Sequence, residues 1–141
     1  MRALFLAVAL AGCATAPLAP EGTDFIEVLS GSSFIGQATQ TIYANNTLKR
    51  EVLEPNEPDV TVVWVTLPDG TYAAARAIVE RDFPTITAPD FDLCPTDMGV
   101  DSITLSQPVA DREFVLGGCG ENGYYPLRAE LLALLPEWPD S

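Results

Sequence analysis

The chain has 141 residues, 48% of them apolar, with 7 Lys and Arg against 20 Asp and Glu, no His, 3 Cys, 12 Pro and 10 Gly. That length holds one domain of ordinary size, and the apolar share is enough for a packed core, which argues against wholesale disorder. A formal charge of −13 argues against nucleic acid, since phosphates are repelled by such a surface instead of releasing counterions to it. The absence of His removes the commonest general base and the commonest metal ligand together.

Arg2, an apolar run over residues 3–10 and the small residues Ala11 and Gly12 read as a secretory signal. The run is too short to cross a bilayer, which takes about 20 apolar residues. Residues 14–22 are small, Pro-containing and unpatterned, as a tether is. Leu10-Ala11-Gly12-Cys13 resembles the lipobox of bacterial lipoproteins in all four positions. The resemblance implies cleavage before Cys13, a diacylglyceryl group on its sulfur and acylation of the new amine. Ala14 in place of Asp implies sorting to the outer membrane, with the domain in the periplasm and the leaflet open. Several acyl chains, at about 0.8 kcal/mol per buried CH₂, hold a soluble domain on a membrane. An acidic domain is pushed away from anionic lipid, so the lipid would make the membrane contact. The expected organisation is a signal peptide over 1–12, a lipidated N-terminus and tether over 13–23, and a single domain over 24–138.

With Cys13 assigned to lipid, Cys94 and Cys119 are an even pair in an exported chain, and a disulfide is expected between them. On the chain-entropy account it would stabilise the fold by about 3.5 kcal/mol. Neither has a His, Lys or partner Cys nearby in sequence to lower its pKa as a reactive thiol requires.

Residues 24–30 form a plausible first strand, broken at Gly31-Ser32-Ser33. Residues 37–44 and 47–53 flank Asn45-Asn46, a pair that tolerates positive φ and suits a two-residue hairpin turn. Residues 60–66 (Val-Thr-Val-Val-Trp-Val-Thr) carry the strongest strand signal. Their two apolar faces predict a central position under a second layer, with Trp64 in the core. Residues 71–83 turn helical, with Tyr72, Ala75, Ile78, Val79 and Phe83 on one stripe and Pro84 as the stop. Residues 85–99 read as an irregular loop. Residues 102–106 and 112–116 form a second hairpin, and a Gly-rich loop follows over 117–123. Pro126 suits the first turn of a final helix, with Leu127, Leu131, Leu134 and Leu135 on one side. The expected class is α+β: an antiparallel sheet of two hairpins plus a central strand, covered by two helices and stapled by one disulfide.

Residues 26–53 (Ile-x-Val-x-Ser-Gly-x-x-Phe-x-Gly, then Thr-Ile-Tyr-x-Asn-Asn-Thr-Leu) resemble the opening of a bacterial lipoprotein domain of unknown function. That domain typically begins with a Cys-Phe-Gly-x-Cys-Pro-x-Tyr motif feeding a hairpin; here Ser33 and Gln37-Ala38 stand where its cysteines belong. Residues 68–135 resemble its later half. The resemblance implies fold and location, and no activity.

For a metal, zinc lacks ligands, since two Cys and no His leave a set incomplete. Calcium has candidates in Asp90, Asp92, Asp97 and Asp101, though the segment lacks the glycine and distal glutamate of an EF-hand loop. Nucleophilic catalysis has no His to build a triad, and Ser32 and Ser33 lack the Gly-x-Ser-x-Gly setting. The glycine-rich loop carries Glu121 and lacks the Lys of a phosphate loop. Tyr124, Tyr125 and Trp138 are candidate surface contacts for a partner or glycan. The expectation is therefore no catalysis and no cofactor, and an envelope interaction or structural module drawn to a basic envelope protein. A calcium- or small-ligand-binding lipoprotein is one alternative. A glycan hydrolase with two carboxylates about 5–10 Å apart is another.

Overall fold

A computed structural model of the chain describes residues 18–32, 35–85, 101–117 and 123–137. The elements are β1 (Phe25–Ser32), β2 (Gly36–Tyr43), β3 (Thr47–Leu53), β4 (Val60–Thr66), α1 (Thr71–Asp82), β5 (Ser102–Gln107), β6 (Arg112–Gly117) and α2 (Tyr124–Leu132). All six strands join one antiparallel sheet in the order β4-β3-β2-β1-β5-β6. The α+β class, both expected hairpins and both helices are present. The expected Cys94–Cys119 disulfide lies outside the described residues.

Side-chain alternation assigns the two faces. Ile26 and Val28 of β1, Ile42 of β2, Leu48 of β3, and Ile103 and Leu105 of β5 are all at most 3% exposed and lie on one face. The helices cover that face. Ala75 and Val79 of α1 sit one turn apart and are buried; Tyr124, Leu127 and Leu131 of α2 follow the i, i+3, i+7 stripe and are buried as well. Each such aliphatic side chain contributes roughly 1.5–3 kcal/mol of burial free energy. Arg81 of α1 pairs with Glu130 of α2 at 2.6 Å, but both are exposed, so packing and not this pair joins the helices. No described element lies on the other face.

Three expectations are corrected by these contacts. Strand β4 is an edge strand and not central: it pairs with β3 alone among the described strands, and Val60 and Val62 are 49% and 45% exposed. Trp64 accordingly is half-buried on the uncovered face and not a core residue. Strand β1 runs on through Gly31, which has φ of 90° and lies so close to β2 that a Cβ there would strike the Gly36 carbonyl oxygen. Helix α2, by contrast, begins as expected after the loop that ends at Gly123, which takes a left-handed φ of 84° and turns the chain into the helix at Tyr124. Pro126 then sits in the first turn, where no N–H is required of it.

The turn between β2 and β3 is one residue longer than the expected two-residue hairpin. Tyr43 opposes Thr47 by register, leaving a three-residue loop closed by Asn46 N–H donating to the Tyr43 carbonyl at 2.9 Å. Only Asn46 is left-handed, with φ of 58°, as in a type I turn followed by an αL residue. Its carbonyl accepts the Leu67 N–H at 2.8 Å and its Oδ1 accepts the Tyr72 N–H at 2.9 Å. Gly70, at the N-cap of α1, has no side chain to cap the helix, so Asn46, 26 positions before Tyr72, does so. One asparagine thus joins a hairpin, the end of β4 and the start of α1. Asn46→Gly, which keeps the backbone but loses the cap, should cost about 1 kcal/mol, and Asn46→Ala, which loses both, about 2 kcal/mol. Urea unfolding checks both parts: no loss in Asn46→Gly would mean the cap carries nothing, and equal losses in the two variants would mean the left-handed φ carries nothing.

Burial also affects the tyrosines. Tyr43, Tyr72 and Tyr124 are all held above their ordinary pKa of 10.0, in each case first by burial. Asp24 adds to the rise at Tyr72 and Asp101 at Tyr124. The unfolded chain loses these protons first, so the stability they contribute is complete below about pH 10 and falls as pH rises through the folded values. The urea midpoint should therefore drop above pH 10, and less in Tyr124→Phe; a midpoint that stays level from pH 9 to 11 contradicts this.

Candidate functional site

Two regions concentrate chemistry. The first is a cavity of about 370 Å³ between the helix-covered side of the sheet and the end of α2, lined by Gln40, Arg50, Leu132, Leu135, Pro136 and Glu137. Arg50 is on the core face of β3, opposite Gln40, and only 3% exposed. Its Nε donates to Gln40 Oε1 at 3.1 Å, its Nη1 to the Glu137 carbonyl at 3.3 Å, and its Nη2 to the Pro136 carbonyl. Burial lowers the guanidinium pKa from its ordinary value, though it stays charged at any physiological pH. The carbonyls it collects belong to the segment after α2, where Leu134 and Leu135 continue with tight turns to Leu131 and Leu132. A cation there answers the negative end of that helical segment and fastens it to the sheet.

The fork geometry is what the site uses, so Lys cannot replace it. Arg50→Met and Arg50→Lys should both cost about 3 kcal/mol, the worth of a buried, charged hydrogen-bond set, and open the C-terminal segment to protease. Wild-type resistance in Arg50→Lys would contradict the fork.

The second region is the face opposite the helices, which no described element covers, and its β4 border. Phe25, Tyr43 and Trp64 stand in a row across it, with Phe25 and Tyr43 ring centroids 6.0 Å apart and tilted by 58°, and Tyr43 and Trp64 stacked at 5.8 Å and 21°. Lys49 Nζ lies 5.9 Å from the Trp64 ring centroid and pairs with Glu51 at 2.7 Å. Thr41 Oγ1 donates to Glu27 Oε2 at 3.3 Å beside the same row. Beyond it the surface is aliphatic and exposed at Val60, Val62 and Val115. Its aromatics, valines, threonines and a few paired charges are the materials of a contact surface.

The residues singled out from the sequence scatter differently. Tyr124 is not a surface contact: it is fully buried in the first turn of α2, on the same stripe as Leu127 and Leu131. Tyr125 is 51% exposed and meets Tyr124 edge-on at 5.2 Å. Asp101 Oδ1 accepts the Gly31 N–H at 3.2 Å, tying the start of β5 to the end of β1. Cys13, Asp90, Asp92, Cys94, Asp97, Cys119 and Trp138 lie outside the described residues. Among the described residues no three Cys, His, Asp or Glu side chains gather closely enough to hold a metal ion. Phe25 and Tyr43 were not legible as site residues, because only the β1–β2–β3–β4 register aligns them with Trp64.

Comparison of the chain with protein-family models, with curated proteins and with solved structures finds no match in any of the three.

Proposed function

We propose that this protein is a bacterial outer-membrane lipoprotein, anchored through acylated Cys13, whose domain is a non-catalytic interaction module of the cell envelope. The observation that carries the reading is a sheet with two helices on one face and, on the other, a half-buried aromatic row and exposed valines with no described element above them. A surface of that kind suits a partner better than a small substrate. The net charge of −13 favours a basic partner and makes its capture salt-sensitive. Sequence supports the anchor: the Leu10-Ala11-Gly12-Cys13 motif precedes a short Pro-containing stretch, and β1 begins at Phe25. No described helix is long and apolar enough to cross a membrane.

The same reading includes a Cys94–Cys119 disulfide. Ser102 at the start of β5 pairs with Gly117 at the end of β6, so the chain enters and leaves that hairpin at one end of the sheet. Cys119 is two residues beyond that end and Cys94 eight before it, well within the reach of an extended chain.

Radioactive palmitate should label the wild type and not Cys13→Ala, and the envelope form should lack free thiols until reduced. A partner held from solubilised envelope at low salt should be released at high salt. An unlabelled wild type with an unmodified amino terminus would overturn the anchor, and a partner indifferent to salt would overturn the electrostatic part.

A further inference from the structure

We propose that the outer edge of β4 is a docking site for an extended, basic-ended segment of a partner protein, which adds to the sheet as a seventh strand. The proposal rests on the interaction reading above and names the surface and ligand chemistry it lacks.

The two borders of the sheet differ. Border strand β6 begins with exposed Arg112 and Glu113, charges of the kind that blunt an edge. Border strand β4 has seven residues, Val-Thr-Val-Val-Trp-Val-Thr, with no charge and no proline. Such an edge offers unpaired N–H and C=O groups to any extended chain.

The register says which groups those are. Leu67 N–H donates to the Asn46 carbonyl across the β3–β4 pair, and the alternation of antiparallel ladders then turns Thr61, Val63 and Val65 toward β3. Val60, Val62, Trp64 and Thr66 face outward with their backbone groups. Their side chains stand on the uncovered face next to Tyr43 and Lys49, so an added strand would extend that surface on the same side. Alternate side chains of the incoming strand would meet Val60, Val62 and Trp64, which favours β-branched or aromatic residues there.

Charge selects the occupant. Exposed Glu54, Glu57 and Asp59 precede β4, exposed Asp69 follows it, and Glu51 opposes Val62 on β3. Lysine or arginine at both ends of the docked segment would meet these carboxylates in either strand direction. A second copy of this chain is disfavoured, because antiparallel pairing of two β4 edges brings the acidic ends together.

The probe is a synthetic peptide of about ten residues alternating Val and Thr with lysines at both ends, set against the same peptide with glutamates. The full chain in detergent micelles should bind the lysine peptide at least about tenfold more tightly, as read by Trp64 fluorescence. Amide exchange at Val60, Val62, Trp64 and Thr66 should slow about tenfold or more on binding. Val62→Pro removes one outward N–H and none directed at β3, and should abolish that protection. Should this variant fail to fold, Asp59→Lys with Asp69→Lys, both at exposed sites, should reverse the preference toward the glutamate peptide. Protection unchanged by either variant, or no protection with either peptide, overturns the proposal. So does concentration-dependent dimerisation that slows the same four amides without peptide. If Val62→Pro still captures a salt-sensitive envelope partner, the edge is wrong while the interaction module stands.

Discussion

Two short helices cannot cover both sides of a six-stranded sheet. Helices α1 and α2, of 12 and 9 residues, bury the face carrying Ile26, Ile42, Leu48 and Leu105, and among the described residues that is the only face they bury. Hydrophobic burial is non-directional, so the core alone would not choose where α1 begins or how β4 ends. Asn46 makes that choice by hydrogen bonding, with its carbonyl on Leu67 and its side chain on the Tyr72 N–H. Arg50 does the equivalent at the other end of the helical layer, gathering the carbonyls of Pro136 and Glu137. Both residues come from the β2–β3 hairpin, which is therefore the part of the sheet to which the helices are fastened.

The division into a covered and an uncovered face also explains where chemistry is left over. Residues on the covered face are spent largely on packing, and Arg50, which lines a cavity there, is tied to backbone carbonyls. On the other face, Phe25, Tyr43 and Trp64 retain partial exposure, and β4 leaves half of its backbone groups turned outward. A module that recognises a partner through such a surface needs neither an enclosed pocket nor a catalytic His. Its acidic frame would make recognition electrostatic in rate and hydrogen-bonded in geometry.

Much of the architecture was legible because it is local. Asn45-Asn46 announced a turn through its tolerance of positive φ, the Tyr72-Ala75-Val79 stripe announced α1, and Pro84 announced its end. What was not legible is non-local. Residues 60–66 are apolar at nearly every position, and an edge strand next to an aromatic row has the same composition as a buried central strand; only pairing separates them. Trp64 and Tyr124 were exchanged between surface and core for related reasons. Trp64 belongs to the face opposite the helices, which depends on register. Tyr124 belongs to the first turn of a helix, and which side of that turn meets the sheet depends on how the left-handed Gly123 aims the chain. Asn46 as a helix cap was hidden by the separation of 26 positions between it and Tyr72.

The account depends most on β4 being an open border, and hydrogen exchange along that strand in the full chain without any partner measures this directly. Thr61, Val63 and Val65 should exchange slowly, as donors to β3, while Val60, Val62, Trp64 and Thr66 should exchange much faster. Uniformly slow exchange across all seven amides would mean that the border is already covered, and would contradict the account.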